Sequence, residues 1–386
     1  MDSQFITLAA GCSEFRHSLH RKPELSGTEF STREALIAEL KALGFEPQTF
    51  SNHQGIVALW PGKDPSAGCV ALRADMDALP LREESGLAWA SQTPGVMHAC
   101  GHDGHMAILL GVARWLSQRG ERHARGVKLV FQPSEETGNG APKMIADGIL
   151  ENPKVEAMFG LHGWPELPAG TVAVPDKAAM AGVDNFTLTL RGRGGHGAMP
   201  HLTRDPIAAA AALILAAQTL VSRKTSPLDP VVVTFGSISA GEAPNIIPET
   251  CTLRGTIRTF DPAVRSSLLA DFETLIRNTS AAHGVTPELG WLDACPPTMN
   301  DPNMAVLARN AASEALGSQN LRTSNPSMGG EDFAFFLEKV PGAYFWLGLG
   351  MDRGPLHNPR FDFNDETLAA GIAVFAGIIA NYCKSA

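Results

Sequence analysis

Apolar positions in the first half of the chain switch repeatedly between two rhythms. Phe30, Leu36, Leu40 and Leu43 recur at helical spacing and stop at Gly44. Ser26-Gly27-Thr28-Glu29 ahead of them has the form of a capping box, with Ser26 as N-cap and Glu29 as its partner. Short apolar runs at 56–60 and 70–74 predict strands. Helical spacing returns over 106–118, followed by a strand over 127–131, a short helix over 142–149 and a strand over 157–161. Strands alternating with helices predict an α/β sheet with helices packed on it.

The rhythm changes near Asp184. From there the pattern predicts a strand at 186–191, a helix at 205–222, strands at 231–239 and 252–259, a helix at 262–282 and a strand at 287–292. That β-α-β-β-α-β order is the ferredoxin-like split unit, which can fold by itself with its helices on one sheet face. After Pro296-Pro297 the first pattern resumes, with helices at 303–316 and 331–338, a strand at 343–349 and a last helix at 366–383. The expected architecture is a discontinuous α/β domain over 1–183 and 295–386 and an inserted domain over 184–294. The most apolar helical stretch, 207–221, follows Asp205-Pro206 and reads as a buried helix. No run of about 18 apolar residues offers a membrane span.

Composition narrows the function classes. The 386 residues exceed what a single core usually organises, and 44% hydrophobic with 18% charged is ordinary globular material. A net charge of -9 argues against a nucleic-acid partner, while leaving room for an anionic small molecule at a local basic site. Met1-Asp2-Ser3-Gln4-Phe5 lacks the basic and apolar regions of a signal peptide, so a cytoplasmic protein with no membrane partner is expected. The six cysteines are scattered, which predicts reduced thiols rather than a disulfide framework.

Cys100 stands apart because of its neighbours. His98-Ala99-Cys100-Gly101-His102-Asp103-Gly104-His105 gathers a thiol, three imidazoles and a carboxylate just ahead of a predicted helix, where open α/β sheets place their sites. Thiolate and imidazole suit zinc or a similar transition metal. Glu135-Glu136 follows an apolar strand, and paired carboxylates there can divide labour between binding a metal and accepting a proton. Taken alone, such a pair reads better as a solvated acidic turn. His162 closes another strand and His357 lies on a late loop. Asp75 and Asp77 end the strand at 70–74, where carboxylates can orient a ligating imidazole or simply pair with Arg73. Gly192-Arg193-Gly194-Gly195-His196-Gly197 matches a dinucleotide fingerprint only literally, since it runs into Ala198-Met199-Pro200-His201 rather than a helix.

Together these segments closely resemble the M20 family of metallopeptidases, in its aminoacylase and hippurate-hydrolase branch with the auxin-conjugate hydrolases. The resemblance covers almost the whole chain. It is carried by His20–Leu25, Arg73–Pro80, Met97–His105, Gln132–Gly138, Gly192–His201, Ala243–Pro248, Gly329–Phe333 and Leu356–Pro359, in order. It implies a catalytic α/β domain with an inserted lid that often assembles subunits, giving a homodimer or homotetramer. It implies two divalent ions (zinc, manganese, cobalt or nickel) held by Cys100, His102, Glu136, His162 and His357. Glu135 matches the general base, Asp77 an acid supporting a ligand, His196 a lid histidine that contacts substrate, and Asn245 and Arg258 further substrate contacts. The implied reaction is hydrolysis of N-acyl amino acids.

Three other readings stay open on the sequence. The same fold can serve a dipeptidase or carboxypeptidase, because both substrates present an amide beside a carboxylate. Cys100 could be the nucleophile of a metal-free thiol hydrolase, which leaves Glu136, His162 and His357 without a task. A non-catalytic metal-binding protein would have no use for Glu135 beside Glu136.

Overall fold

The computed structural model describes residues 2–383, apart from the side chain of Pro65. Met1 and 384–386, the ends of the expected larger domain, lie outside the described residues. The chain divides into two compact units. One is formed by Met1–Ala179, Met299–Pro326 and Asp332–Ala386, the other by Met180–Thr298 with Ser327–Glu331.

The first unit is built on an eight-stranded sheet in the order Gln48–Thr49, Ile56–Trp60, Gly126–Gln132, Cys69–Asp75, Val155–Trp164, Gly342–Gly348, Val172–Ala173, Leu321–Arg322. From Gly126–Gln132 to Gly342–Gly348, neighbouring strands are parallel. Every residue of Cys69–Asp75, Gly126–Gln132 and Gly342–Gly348 is buried, the unbroken burial of parallel strands covered on both faces.

Four local differences from the sequence expectation bear on function. The first helix, Ser3–Arg21, has no counterpart among the expected elements; Asp2 caps it, and its buried face mixes Leu8, Cys12 and Leu19 with Arg16 and His20. The helix His102–Arg119 begins four residues ahead of the expected 106, because Gly101 at φ +88° turns the chain and the polar first turn is buried. The expected capping box does not form. The helix starts at Phe30, and the free amides of Ser31 and Thr32 donate to the Glu24 carboxylate at 3.0 and 2.8 Å. Ser26 and Glu29 are thereby released for bonds to Asp77 and Ser134. The helix expected over 331–338 shortens to Ala334–Leu337, since the Asp332 carboxylate accepts instead from the amides of Gly140 and Ala141 at 3.1 and 3.0 Å.

The second unit carries a four-stranded antiparallel sheet in the order Val231–Ser239, Thr250–Thr259, Gly182–Arg191, Thr286–Cys295. Along Gly182–Arg191 burial alternates with period two, as it must where one face meets a core. Helices Pro206–Thr219 and Pro262–His283 start identically, with Pro at the first position and Asp205 or Asp261 accepting two amides. Phe186, Leu188, Leu213, Leu253, Phe272 and Ile276 form the core between them. Among the described residues, one helical stretch, Pro206–Lys224, has the length and apolarity to cross a membrane. The expectation of a buried helix there holds for one face only. Ala209, Ala210, Leu213 and Ala217 are buried, whereas Leu215 is 73% exposed.

Candidate metal centre

Four segments leaving the parallel strands bring the candidate residues together. Cys69–Asp75 runs on to Asp77, Gly126–Gln132 runs on to Ser134–Glu136, His162 lies near the end of Val155–Trp164, and the chain after Gly348 carries His357. Two backbone positions on these segments are left-handed without being glycine, Ser134 at φ +58° and His357 at φ +59°. Such conformations persist where surrounding bonds over-determine them. The Ser134 amide donates to Glu29 at 2.9 Å, and the His357 amide donates to the Ala99 carbonyl at 2.8 Å.

Cys100 sits at the middle of the cluster. Its Sγ lies 3.3 Å from His162 Nε2 and 3.3 Å from His357 Nε2. Glu136 Oε1 is 3.6 Å from His357 Nε2 and 3.9 Å from His102 Nε2. Ligand atoms of Cys100, His102 and His162 fall within 4.8 Å of one another, as do those of Cys100, Glu136 and His357 and those of His102, Glu135 and Glu136. The ring nitrogens that point away are bonded elsewhere. His102 Nδ1 donates to the Asp77 carbonyl at 2.8 Å, and His162 Nδ1 to the Gly163 carbonyl at 2.8 Å. Each bond engages Nδ1 and so directs Nε2 at the cluster.

Two of these inward atoms, His102 Nε2 and Glu136 Oε1, are buried without a hydrogen-bond partner. Unsatisfied buried polar atoms are costly unless a ligand takes them up. A thiol, three imidazoles and a carboxylate are donors of the type that holds divalent transition metals. The residues therefore fit the metal ions that their pattern implies.

The electrostatics point the same way. Burial pushes the Cys100 thiol well above its ordinary value, and Glu136, Glu135 and Asp75 push it further. Burial raises the Glu136 carboxyl to about 7. Burial opposes charge on His102, yet Asp75, Asp77 and Glu136 outweigh it and lift the ring to about 10. His162 is driven well down by burial and by His105 beside it. The cluster thus concentrates negative charge around one imidazole, and the carboxylates that hold a proton on that ring would equally hold a divalent cation.

Asp77 ties the arrangement together from below. Its carboxylate accepts from the amides of Glu135 and Glu136, both at 3.0 Å, and from Ser26 Oγ at 2.5 Å. Asp75 has two partners, of which the Arg73 pairing matches its sequence reading. It pairs with Arg73 at 2.7 Å, and it accepts from His105 Nδ1 at 2.6 Å. The imidazole it orients is His105, which is absent from the expected site. His105 Nε2 accepts from the Gly163 amide at 2.8 Å and so braces the strand end that carries His162. The three histidines of the Cys100 segment are distinguishable only in three dimensions: His102 faces the cluster, His105 supports it, and His98 is buried apart.

His196, Asn245 and Arg258 belong to the second unit. His196 pairs with Ile246 in a two-stranded ribbon, and the Gly197 amide donates to the Asn245 carbonyl at 2.8 Å. His196 Nδ1 accepts from the Ala198 amide at 3.0 Å, leaving Nε2 at the exposed surface. Arg258 lies on Thr250–Thr259, opposite Val232 and Val183. No helix follows the glycines of 192–197 directly, as expected of a segment that is not a dinucleotide loop.

Known proteins place this arrangement. The profile of peptidase family M20/M25/M40 matches residues 71–381. An N-acetyl-L-cysteine deacetylase of Bacillus subtilis is 40% identical over 91% of this chain and 83% of its own length. The IAA-amino acid hydrolase ILR1-like 4 of Arabidopsis thaliana is 36% identical over 98% of this chain and 89% of its own. The crystal structure of Bacillus subtilis YXEP, described as a dinuclear metal-binding peptidase of the M20 family, superposes with a TM-score of 0.85 at 32% identity over 98% of this chain and 99% of that one. The fold and these similarities define an amidohydrolase. The chain belongs to peptidase family M20/M25/M40.

Proposed function

We propose that this enzyme hydrolyses the amide bond of N-acyl amino acids with two divalent ions, releasing a carboxylic acid and a free amino acid. The observation that carries the proposal is the convergence of Cys100, His102, Glu136, His162 and His357, with Glu135 alongside. Those five residues are the proposed ligands, and zinc, manganese, cobalt and nickel are the candidate ions. When bound, such ions polarise a carbonyl and lower the pKa of a water.

The protein's own part is to orient and to move protons. Glu135 takes a proton from the attacking water and delivers it to the leaving nitrogen. Its backbone amide is anchored by Asp77, so the carboxylate is presented from a fixed turn. His196, exposed on the second unit, is assigned to the substrate carbonyl, where a donor stabilises developing oxyanion charge. Arg258, with Asn245, is assigned to the substrate carboxylate, which its planar fork can grip in bidentate fashion. The second unit acts as the lid of this reading and as the surface for a homodimer or homotetramer, in a cytoplasmic enzyme without nucleic-acid or membrane partners.

The test is amino-acid release from a panel of benzoylglycine, N-acetyl amino acids and dipeptides. Metal-stripped enzyme would be assayed alone and after adding each candidate ion. Metal-restored cleavage of acyl amino acids is expected. Cleavage of dipeptides alone would transfer the enzyme to the peptidase reading.

A further inference from the structure

The first helix contributes nothing to the metal cluster directly, yet it buries a full cation beneath it. Arg16 is 0% exposed. Its guanidinium faces Asp103 at 3.0 Å, Asp362 at 3.4 Å and Asp365 at 2.5 Å. Asp103 directly follows His102 in the first turn of the helix His102–Arg119. Asp362 and Asp365 lie on the segment that continues from His357. One cation therefore grips two of the three chain segments that supply ligands from outside the strands, those of His102 and His357.

The neighbouring contacts point the same way. His17, the next residue, bonds Asp365 at 2.7 Å and stacks on Trp89 with ring centroids 3.8 Å apart. Between the two aspartates, Phe363 packs so tightly under the same helix that a Cβ on Gly104 would lie 2.4 Å from its ring. The segment after His357 is thus pressed to the helix by Phe363 and clamped by Arg16.

A different clamp on the same helix shows that such a pair need not serve the site. Arg114 pairs with Glu39 at 2.8 Å and bonds Cys12, touching neither the first turn nor the His357 segment.

We infer that Arg16 is a positioning residue of the metal centre: it fixes the distance between the His102 and His357 segments, so that their imidazoles can serve ions together. The inference rests on the ligand assignment proposed above. A planar fork with several donors can hold carboxylates from two segments at once, whereas an ammonium is a single point charge.

The experiment titrates metal-stripped full-length protein with cobalt(II) chloride alone, reading the thiolate-to-cobalt and imidazole-sensitive visible bands, with zinc affinity measured by chelator competition. Arg16→Met is expected to weaken metal binding by roughly 10- to 100-fold and to alter the cobalt spectrum. Arg16→Lys should recover part of both. Arg114→Met should leave the spectrum as in wild type while lowering thermal stability. Should Arg16→Met fail to fold, Asp365→Asn decides, since its side chain is 28% exposed and its loss removes one of the two aspartates by which Arg16 holds the His357 segment while leaving the Asp103 pair intact; one cobalt should then loosen and the other stay. Wild-type affinity and spectrum in folded Arg16→Met, or in Asp365→Asn, would overturn the inference while the ligand assignment stands. Absence of cobalt binding by the wild type would overturn both.

Discussion

The interiors of the two units are made of different material. Between the sheet and helices of the second unit lie Phe186, Leu188, Leu213, Leu253, Phe272 and Ile276, and its buried charged residues are Asp184 and Glu331. The first unit buries Arg16, Arg73, Asp75, Asp77, Asp103 and Asp332 among its apolar residues. Arg73 pairs with Asp75 at 2.7 Å and Asp332 at 3.3 Å, and its Nε donates to Gln132 at 2.8 Å. Buried charges are a poor source of stability, because desolvation offsets most of their attraction. Their concentration beneath one cluster is therefore better read as fixing geometry. The second unit needs only a core that folds, whereas the first needs one that holds particular atoms still.

The comparison can be broken at several points. Removing the proposed base has the largest expected effect: Glu135→Gln should lower turnover by roughly 10²- to 10⁴-fold with metal content unchanged. Turnover near wild type would sink the assignment. In the second unit, Phe272→Ala should cost about 3–5 kcal/mol of stability through the cavity it leaves, with metal affinity in the folded protein unaltered. Denaturant unfolding beside chelator competition separates the two quantities.

The buried network should also show in pH dependence. Burial opposes charge on His20, but Asp103 and Glu83 outweigh it and raise the ring to about 9. The folded value lies above the unfolded one, near 6.5. The associated stability is thus complete below about pH 6.5 and disappears as the pH rises through about 9. The stability difference between wild type and His20→Asn should shrink over that window by roughly 2–3 kcal/mol. A difference that stays flat would contradict the charged pair. The smallest effect is local: Asp261→Ala, which removes a cap from an exposed helix start, should cost about 1 kcal/mol and leave activity alone.

Where periodicity is pure, the sequence is readable. The strand at 56–60 and the strand at 231–239 have the extents that their apolar runs predict, and the helix Pro262–His283 exceeds its predicted range by a single residue. Cys100, His102, Glu135, Glu136, His162 and His357, read from strand ends and loops, do converge in space. The failures occur where polar side chains work across long separations. Ser26 and Glu29 have the spacing of a capping box, but their partners, Asp77 and Ser134, are 51 and 105 residues away. The first helix goes unread although Leu8, Cys12 and Leu19 share one face, and nothing local marks Arg16 and His20 as buried. Arg16 depends on carboxylates at 103, 362 and 365 and His20 on those at 83 and 103, which only the fold brings near. His105 is hidden for a related reason, since chemistry alone does not rank three histidines in eight residues.

The single carboxylate of Asp77 receives the amides of both Glu135 and Glu136. Both glutamates therefore share a common datum. A thermal displacement of that carboxylate carries the two backbones in the same direction, so errors in their positions are correlated. The spacing between proton acceptor and ligand then varies less than the place of either relative to the sheet. Tolerance is spent on the absolute position of the turn and withheld from its internal proportions.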